Sequence, residues 1–390
     1  MTSAQPRTRA QLTDSEQRWL EVREYLDAHR FELGRDAAAA YPDVERLGPT
    51  PLLAPARWVP TTPLPLDTVI LDLNDGGRSV GAVRVADRAA PVVLPERPDG
   101  GRYESYSDAL AQLTGRKFEN RQTYRLRYAD LRPIAPTLRF GLGRYFDHLD
   151  IGEACAHEFA AGQLGLLDPA EQWIRAAVGD PCDPNRRPVN LAISTLTLRF
   201  DRAAGEATFL MHRRDPEKVG HAAGLYQVLP TGVFQAADDA HWNLRNDFSL
   251  WRSMVREYAE EFLGESEDYG AERASIDYDA WPFAARMKHG LDRGDIRAHV
   301  LGMGVDPLTL ATDLLTVVVI DAEFYDEVFA GAVAMNDEGE VVSSLDGVST
   351  SHGVPFTRDV VSRFVRDEPM QAAGTALLWS AWKERRILLG

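Results

Sequence analysis

Cysteine is scarce in this chain, which carries only Cys155 and Cys182 among its 390 residues. Two isolated cysteines provide neither a disulfide framework nor the spacing of a metal site. Apolar runs are short, and none reaches the ~18 to 20 residues that a membrane span needs. Residues 1–12 are polar, so no secretory signal is expected there. These absences exclude a disulfide-rich secreted protein and predict a cytoplasmic one that does not contact a membrane.

Runs of basic residues are absent too. The net charge is −16, so binding to a nucleic-acid backbone is disfavoured. A small molecule that bears phosphate remains compatible, because a bound metal and local arginines reverse the field inside a cleft. No Gly-x-Ser-x-Gly elbow occurs, and no second histidine follows His157-Glu158 at metal-binding spacing. Serine hydrolases of that class and zincin metalloproteases are therefore excluded.

The length favours two domains, since single hydrophobic cores seldom grow this large. The clearest break is the segment 179–188, where three prolines accompany glycine, aspartate and asparagine. We therefore predict an N-terminal α+β domain of unknown role over residues 1–179 and a second domain over residues 190–390.

The second half alternates strand and helix signals, which predicts an α/β fold with a mixed sheet. The run Leu314–Ile320 is almost continuously apolar and rich in β-branched residues, as is typical of a buried central strand. The other predicted elements are strands at Asn190–Phe200, Glu206–His212 and Ile296–Met303, a hairpin of Ala330–Met335 with Glu340–Val342, and a closing helix at Gln371–Arg385. In the first half, Val92–Leu94 reads as a short strand.

The most informative stretch is Arg256-Glu257-Tyr258-Ala259-Glu260-Glu261. Its glutamates stand at i, i+3 and i+4, which share one face of a helix. Convergent carboxylates repel one another unless a cation compensates, and their oxygens suit Mg²⁺ or Mn²⁺. The opposite face carries an apolar stripe made of Trp251, Met254, Val255, Tyr258 and Phe262.

This run resembles the second half of the Nudix box, whose pattern ends Arg-Glu-hydrophobic-x-Glu-Glu-x-Gly. The upstream turn Leu229-Pro230-Thr231-Gly232 is similar to the Leu-Pro-Gly-Gly turn of that family. Three departures stand beside the match. Phe248 occupies the place of a glutamate, residues 236–246 form an insertion, and Gly264 comes one residue late.

The resemblance implies a Nudix-like α/β/α sandwich with a mixed sheet in the C-terminal half. It implies that Glu257, Glu260 and Glu261 bind Mg²⁺ or Mn²⁺, with Glu260 and Glu261 catalytic. Arg256 would orient Glu260, its i+4 partner, by an ion pair. The implied activity is metal-dependent hydrolysis of a nucleoside diphosphate linked to another moiety.

Two other functions compete with this one. A non-catalytic Nudix-like protein would bind a nucleotide or metabolite and act as a regulator, which the damaged front half of the box favours. An interaction protein would keep the acidic helix face merely solvated. The sequence names no nucleobase and leaves the oligomeric state open, a homodimer included.

Further residues have both a binding and a purely structural interpretation. Arg213 and Arg214 follow a strand, where they would contact a diphosphate or lie solvated at the strand end. Asp321 or Glu323 would act as a late base or remain an acid of an edge loop. The segments 104–109 and 124–127 would line a ligand pocket or pack one domain against the other.

Overall fold

The structure, a computed structural model, describes residues 11–74, 85, 89–116, 118–214, 225–266, 269–330, 339–342, 344–345, 348–349 and 353–390. Within them the chain is a mixed α/β protein, as its pattern predicted. No helix in these ranges is long and apolar enough to cross a membrane.

Helices dominate the described part of the N-terminal half. The first begins at Thr13, whose hydroxyl accepts from Glu16 N–H while the Glu16 side chain accepts from Thr13 N–H. Such a reciprocal cap satisfies two backbone donors that a helix start leaves open. The elements are α1 (Asp14–Ala28), α2 (Arg30–Ala37), β1 (Leu64–Pro65), β2 (Ile70–Leu73), α3 (Tyr106–Thr114), β3 (Gln122–Asp130), β4 (Thr137–Arg144), α4 (Tyr145–Gln163) and α5 (Trp173–Val178).

The second half contains most of the strands. They are β5 (Leu191–Asp201), β6 (Glu206–Phe209), β7 (Met211–Arg214), β8 (Tyr226–Val228), β9 (Thr231–Val233), β10 (Ile296–Val305), β11 (Thr312–Asp321), β12 (Gly339–Val342), β13 (Ser344–Leu345), β14 (Val348–Ser349) and β15 (Val354–Pro355). The helices are α6 (Asn243–Asn246), α7 (Leu250–Leu263), α8 (Pro282–Arg293), α9 (Ala322–Val328), α10 (Arg358–Arg366) and α11 (Ala372–Leu388).

The main sheet runs in the order β1-β10-β11-β5-β6-β15, with β9 also paired to β5. Strand β11 lies parallel to β5 and antiparallel to β10, so the sheet is mixed. Three smaller sheets join β2-β4-β3, β12-β7-β8 and β13-β14 within the described ranges. Every residue of β11 but Asp321 is buried, which confirms the predicted central strand.

Side chains of β11 alternate between two apolar clusters, as the period of a strand requires. Leu314, Val318 and Ile320 lie in the cluster that contains Met254 and Tyr258 of α7. The residues between them lie in a cluster with α11; they are Leu315, Val317 and Val319. Helices α7 and α11 therefore cover opposite faces of the main sheet.

The two predicted domains contact each other through strands and through buried side chains. Strand β1 pairs with β10, and an aromatic cluster joins Tyr124 and Phe140 of the small sheet to Phe234 and Phe248. Its ring centroids lie 4.6 to 5.6 Å apart. The division at residues 179–190 stays a prediction.

One local prediction was wrong, and a second lies mostly outside the described residues. Residues 92–94 form a turn rather than a strand, and Val93 N–H donates to Ala90 O at 2.8 Å. This apolar run is buried because the turn faces the core, where Val93 O accepts from Trp19 Nε1. Strand β12, which contains the predicted Glu340–Val342, pairs with the distant β7. The predicted hairpin turn at 336–339 and its first strand lie almost wholly outside the described residues.

Candidate functional site

A cleft of about 1060 Å³ lies where several elements begin or end. Its walls come from α7, from β8 and β9, from the first residues of β5 and β11, and from the start of α11. Helix α4 of the N-terminal half supplies a further wall with Tyr145, His148 and Leu149. A cleft of this size accommodates a nucleotide-sized ligand.

Helix α7 has clear start and stop signals. Ser249 caps its first turn by accepting from Arg252 N–H, and Gly264 ends it at a φ of 66°, a backbone conformation that favours glycine. The apolar face is buried, and Tyr258 Oη lies 2.7 Å from Thr197 Oγ1 on β5. The opposite face, which carries the glutamates, is therefore turned toward the cleft.

Glu257, Glu260 and Glu261 all line this cleft. Glu261 is only 6 % exposed, and its Oε1 accepts from Thr231 N–H at 2.7 Å. Glu260 Oε1 accepts from Tyr269 Oη at 2.8 Å. The Glu257 carboxylate lies directly against Gly232, where a Cβ atom would overlap it. Two of the three acids thus rest on the Leu-Pro-Thr-Gly turn.

The acids of α7 are the candidate ligands for a divalent ion in this cleft. Among the described residues, no group of three His, Cys, Asp or Glu side chains is arranged to hold a metal ion. Mg²⁺ commonly takes only one or two protein carboxylates and completes its shell with waters and substrate phosphates. Glu257, Glu260 and Glu261 are the carboxylates that would supply those ligands from α7.

Arg256 is buried beneath these acids. Its Nη1 donates to Tyr278 Oη at 2.5 Å and lies 3.9 Å from Asp247 Oδ1, and its Nη2 donates to Gln235 O at 2.6 Å. Burial opposes its charge, but Tyr278 and Asp247 more than offset this and keep the Arg256 pKa above its ordinary value. These contacts connect Arg256 to the segments before and after α7, while its predicted ion pair with Glu260 stays a prediction.

Asp247 was missed by the sequence reasoning. The Nudix pattern asks for an acid at 248, but Phe248 lies in the aromatic cluster, and the acid stands one residue earlier. Asp247 is fully buried and accepts from Tyr278 Oη at 2.9 Å and from Ala237 N–H at 2.9 Å. An Asp directly before an aromatic residue was a visible signal, but only the fold shows that it turns inward.

Other predicted site residues lie elsewhere. Strand β7 leaves Arg213 exposed, the side chain of Arg214 is outside the described structure, and the described lining of the cleft includes neither. Their binding role stays a prediction. Asp321 ends β11 and accepts from Arg202 Nε at 2.8 Å. Asp313, near the start of the same strand, lines the cleft and accepts from Ser194 Oγ at 2.8 Å.

The aromatic segments of the first half serve packing. Tyr106 and Tyr124 are at most 1 % exposed, with rings beside Trp19 and Phe234. Tyr124 thus packs against the second predicted domain, as one of the two interpretations had it, whereas Tyr106 packs within the first half.

The charge of the described cleft lining is strongly negative. Its carboxylates are Glu153, Glu257, Glu260, Glu261, Glu265, Asp306 and Asp313, and its guanidinium groups are Arg30, Arg121 and Arg256. All three cations are already paired inside the protein, because Arg30 binds Glu153 at 2.8 Å, Arg121 binds Glu119 at 2.9 Å and Arg256 lies beside Asp247. A polyanion would be repelled here unless it entered together with a cation.

No protein-family model matches the chain, and no curated protein is significantly similar to it.

Proposed function

We propose that this protein is a divalent-metal-dependent hydrolase of the Nudix type. The substrate class is a nucleoside diphosphate linked to another moiety. The observation that carries the proposal is the contact between the acids of α7 and the Leu-Pro-Thr-Gly turn, since Glu261 accepts from Thr231 N–H and Glu257 lies on Gly232 inside the cleft. The two segments that resemble the Nudix box, residues 229–232 and 256–261, are therefore in contact inside the cleft.

The proposed fold is a Nudix-like α/β/α sandwich that begins near residue 190. Its support is the mixed sheet with α7 on one face and α11 on the other. Helix α7 then lies against the sheet through its apolar stripe, and its acids line the cleft at the start of the parallel strands β5 and β11.

The acidic cleft supports a cation-dependent reaction. A divalent ion, when bound, would neutralise phosphate oxygens and favour attack by water. Water attacks one phosphorus of the diphosphate, the bond from that phosphorus to the bridging oxygen breaks so that the other phosphate leaves with this oxygen, and a carboxylate of Glu260 or Glu261 accepts the proton from the water. Arg256 contributes as a positioning residue, because its buried contacts with Asp247 and Tyr278 fix the side of α7 beneath the acids.

A second candidate function is cation-dependent binding of the same class of ligand without turnover. One observation favours it. The acid that the box expects at position 248 is replaced by a phenylalanine whose ring packs 4.9 Å from that of Tyr124. This protein would be a sensor of nucleotides or metabolites.

The decisive experiment measures turnover and binding on a panel of nucleoside diphosphate conjugates with Mg²⁺ or Mn²⁺. Glu260→Gln and Glu261→Gln are compared with wild type, with Glu272→Gln as the control because Glu272 is exposed and pairs with Arg273. General base catalysis is typically worth about 10² to 10⁴-fold, so hydrolysis predicts a loss of turnover of that order that exceeds the loss of nucleotide affinity.

Three outcomes separate the candidates. Cation-dependent binding without turnover by the wild type supports the sensor. Turnover that is equal in wild type and in both cleft variants removes these acids from the reaction. If the wild type binds neither the cation nor the nucleotide detectably, both candidate functions are excluded. The interpretation as an interaction protein with a solvated acidic helix then remains.

A further inference from the structure

Gln227 on β8 has a buried hydrogen-bond acceptor without a partner. Its side chain is only 3 % exposed and lines the cleft, yet its amide oxygen Oε1 has no hydrogen-bond partner in the described part of the chain. Buried amide atoms of folded proteins are normally satisfied, and an unsatisfied one costs free energy. An amide oxygen accepts from an N–H or O–H group. The unsatisfied oxygen therefore indicates a ligand that brings a donor.

Gln371 presents the opposite group to the same cleft. Its amide nitrogen Nε2 is buried without a hydrogen-bond partner among the described residues. Gln371 is the N-cap residue of α11, but its side chain makes no capping hydrogen bond. An amide nitrogen donates, so a ligand that completes it brings an acceptor. Both amides are neutral, and the acidic lining of the cleft does not oppose a neutral ligand group that binds them.

The two glutamines are neighbours on adjacent backbone segments. Tyr226 forms a parallel bridge with Met370, and Gln371 N–H donates to Tyr226 O at 3.0 Å. Gln227 and Gln371 directly follow the bridged residues, so their side chains leave the backbone on the same face. Neither unsatisfied atom bonds the other. An acceptor and a donor on one wall of the cleft are therefore both left for a third group.

We propose that Gln227 and Gln371 form a subsite that recognises an amide-type edge, which is an N–H group next to an acceptor. Gln227 Oε1 accepts from the N–H group, and Gln371 Nε2 donates to the acceptor. Each nucleobase has such an edge, and so does a carboxamide. Paired donor and acceptor contacts are also how a glutamine amide recognises adenine. This proposal deepens the proposed function and rests on it for the nucleotide class of ligand.

The subsite is placed for a ligand that also reaches the acids of α7. Gln227 lies four residues before Thr231, whose N–H group binds Glu261. Four residues of fully extended chain span at most about 14 Å, so the edge subsite and the acids are close within one cleft. Ala372 and Ala373 line the cleft beside the glutamines, and their small apolar side chains leave room for a planar ring. One ligand can then place its base on the glutamines and its diphosphate, with a cation, at α7.

The experiment measures binding of neutral ligands to the full-length protein by NMR titration, without a divalent cation. The probes are adenosine, cytidine, guanosine and uridine, with nicotinamide as a carboxamide and ribose as the ligand that lacks the edge. Wild type is compared with Gln227→Leu and Gln371→Leu. The control is Gln112→Leu, because Gln112 is exposed on α3.

Wild type and the control are expected to bind at least one edge-bearing probe more tightly than ribose. Both cleft variants should bind that probe about tenfold more weakly, the value of one lost hydrogen bond. Methylating the edge nitrogen of that probe should weaken its binding to wild type by a similar factor and affect Gln227→Leu far less, because the acceptor is already absent there. Unchanged melting temperatures are expected, since replacing an unsatisfied buried amide with an apolar group of similar shape is nearly neutral.

Equal affinity for the best-binding probe in wild type and both cleft variants would overturn the subsite, as would a wild type that binds no probe more tightly than ribose. If only nicotinamide depends on the glutamines, the subsite stands and the edge belongs to a carboxamide of the linked moiety. Failure of the hydrolase is a separate result. Glutamine-dependent binding without turnover of any conjugate removes only the hydrolysis, and turnover with an unchanged KM in both variants removes only the subsite.

Discussion

Gly232→Ala is the substitution that most directly tests the contact between the Leu-Pro-Thr-Gly turn and α7. A Cβ atom at position 232 would overlap all three heavy atoms of the Glu257 carboxyl group. The Gly232 φ is not positive, so alanine adopts the same backbone without strain. The added methyl group thus acts on the Glu257 side chain alone.

The size of the effect follows from this geometry. Ordinary Cβ contacts begin at 3.4 Å, so the carboxylate must move by more than about 1 Å, and a disturbed metal ligand of this kind typically costs about 10 to 100-fold in metal affinity. The overlapping atoms are the far end of a flexible side chain. We therefore expect a loss of less than about 1 kcal/mol in the free energy of unfolding.

Two measurements check this pair of expectations: Mn²⁺ affinity by titration, and the free energy of unfolding in urea. Gly34→Ala is the matched control, since a Cβ there meets nothing within 4 Å and Gly34 lies inside α2. That control should gain about 0.5 to 1 kcal/mol and keep its Mn²⁺ affinity. Unchanged Mn²⁺ affinity in Gly232→Ala would refute the role of Glu257 as a cation ligand.

Three further predictions address the surroundings of the cleft. Arg256→Met should lower the free energy of unfolding in urea by about 3 to 5 kcal/mol, because the buried Asp247 carboxylate loses its cationic partner. In a double-mutant cycle, adding Asp247→Asn should recover part of that loss. Additive losses would contradict the coupling between the two residues. Phe248→Glu should lower the free energy of unfolding by roughly 3 kcal/mol without raising turnover, because it places a carboxylate among Tyr124, Phe140 and Phe234. A gain in turnover at unchanged stability would contradict this prediction. Burial, assisted by Arg23, lowers the pKa of His157 from 6.5 to about 3, so below pH 6.5 the unfolded chain binds a proton that the native state does not. Stability should fall by about 2 kcal/mol from pH 7 to pH 5 through this residue, and His157→Gln should flatten that part of the urea-unfolding profile.

Local signals in the sequence predicted the elements that carry their own pattern. The apolar stripe of α7 and its closing glycine placed that helix correctly, and the β-branched run before Asp321 placed β11 at the centre of the sheet. These predictions succeed because periodicity and turn chemistry act within a few residues. The three glutamates were found for the same reason, since helical spacing alone puts them on one face.

What escaped prediction depends on contacts between distant residues. His148 and Arg30 line the cleft because α4 and α2 pack beside it, and no local pattern links them to α7. Gln227 and Gln371, which both line the cleft, become neighbours only through the bridge between Tyr226 and Met370, segments more than 140 residues apart. The strand predicted at residues 92–94 was wrong for a different reason. Three consecutive apolar residues fit a buried turn that faces the core as well as they fit a strand.

The parallel pairing of β5 with β11 also bears on how the chain folds. It joins Leu191 to Thr312 across more than 100 intervening residues, and α7 lies within that interval. Closing so long a loop costs entropy before any pairing is gained, and topologies of this kind fold slowly. Until β11 enters between β10 and β5, one edge of β5 has no partner strand there, and the cleft lacks Thr312 and Asp313. Conditions that slow this step should therefore expose an aggregation-prone strand edge in a state that has no complete binding site.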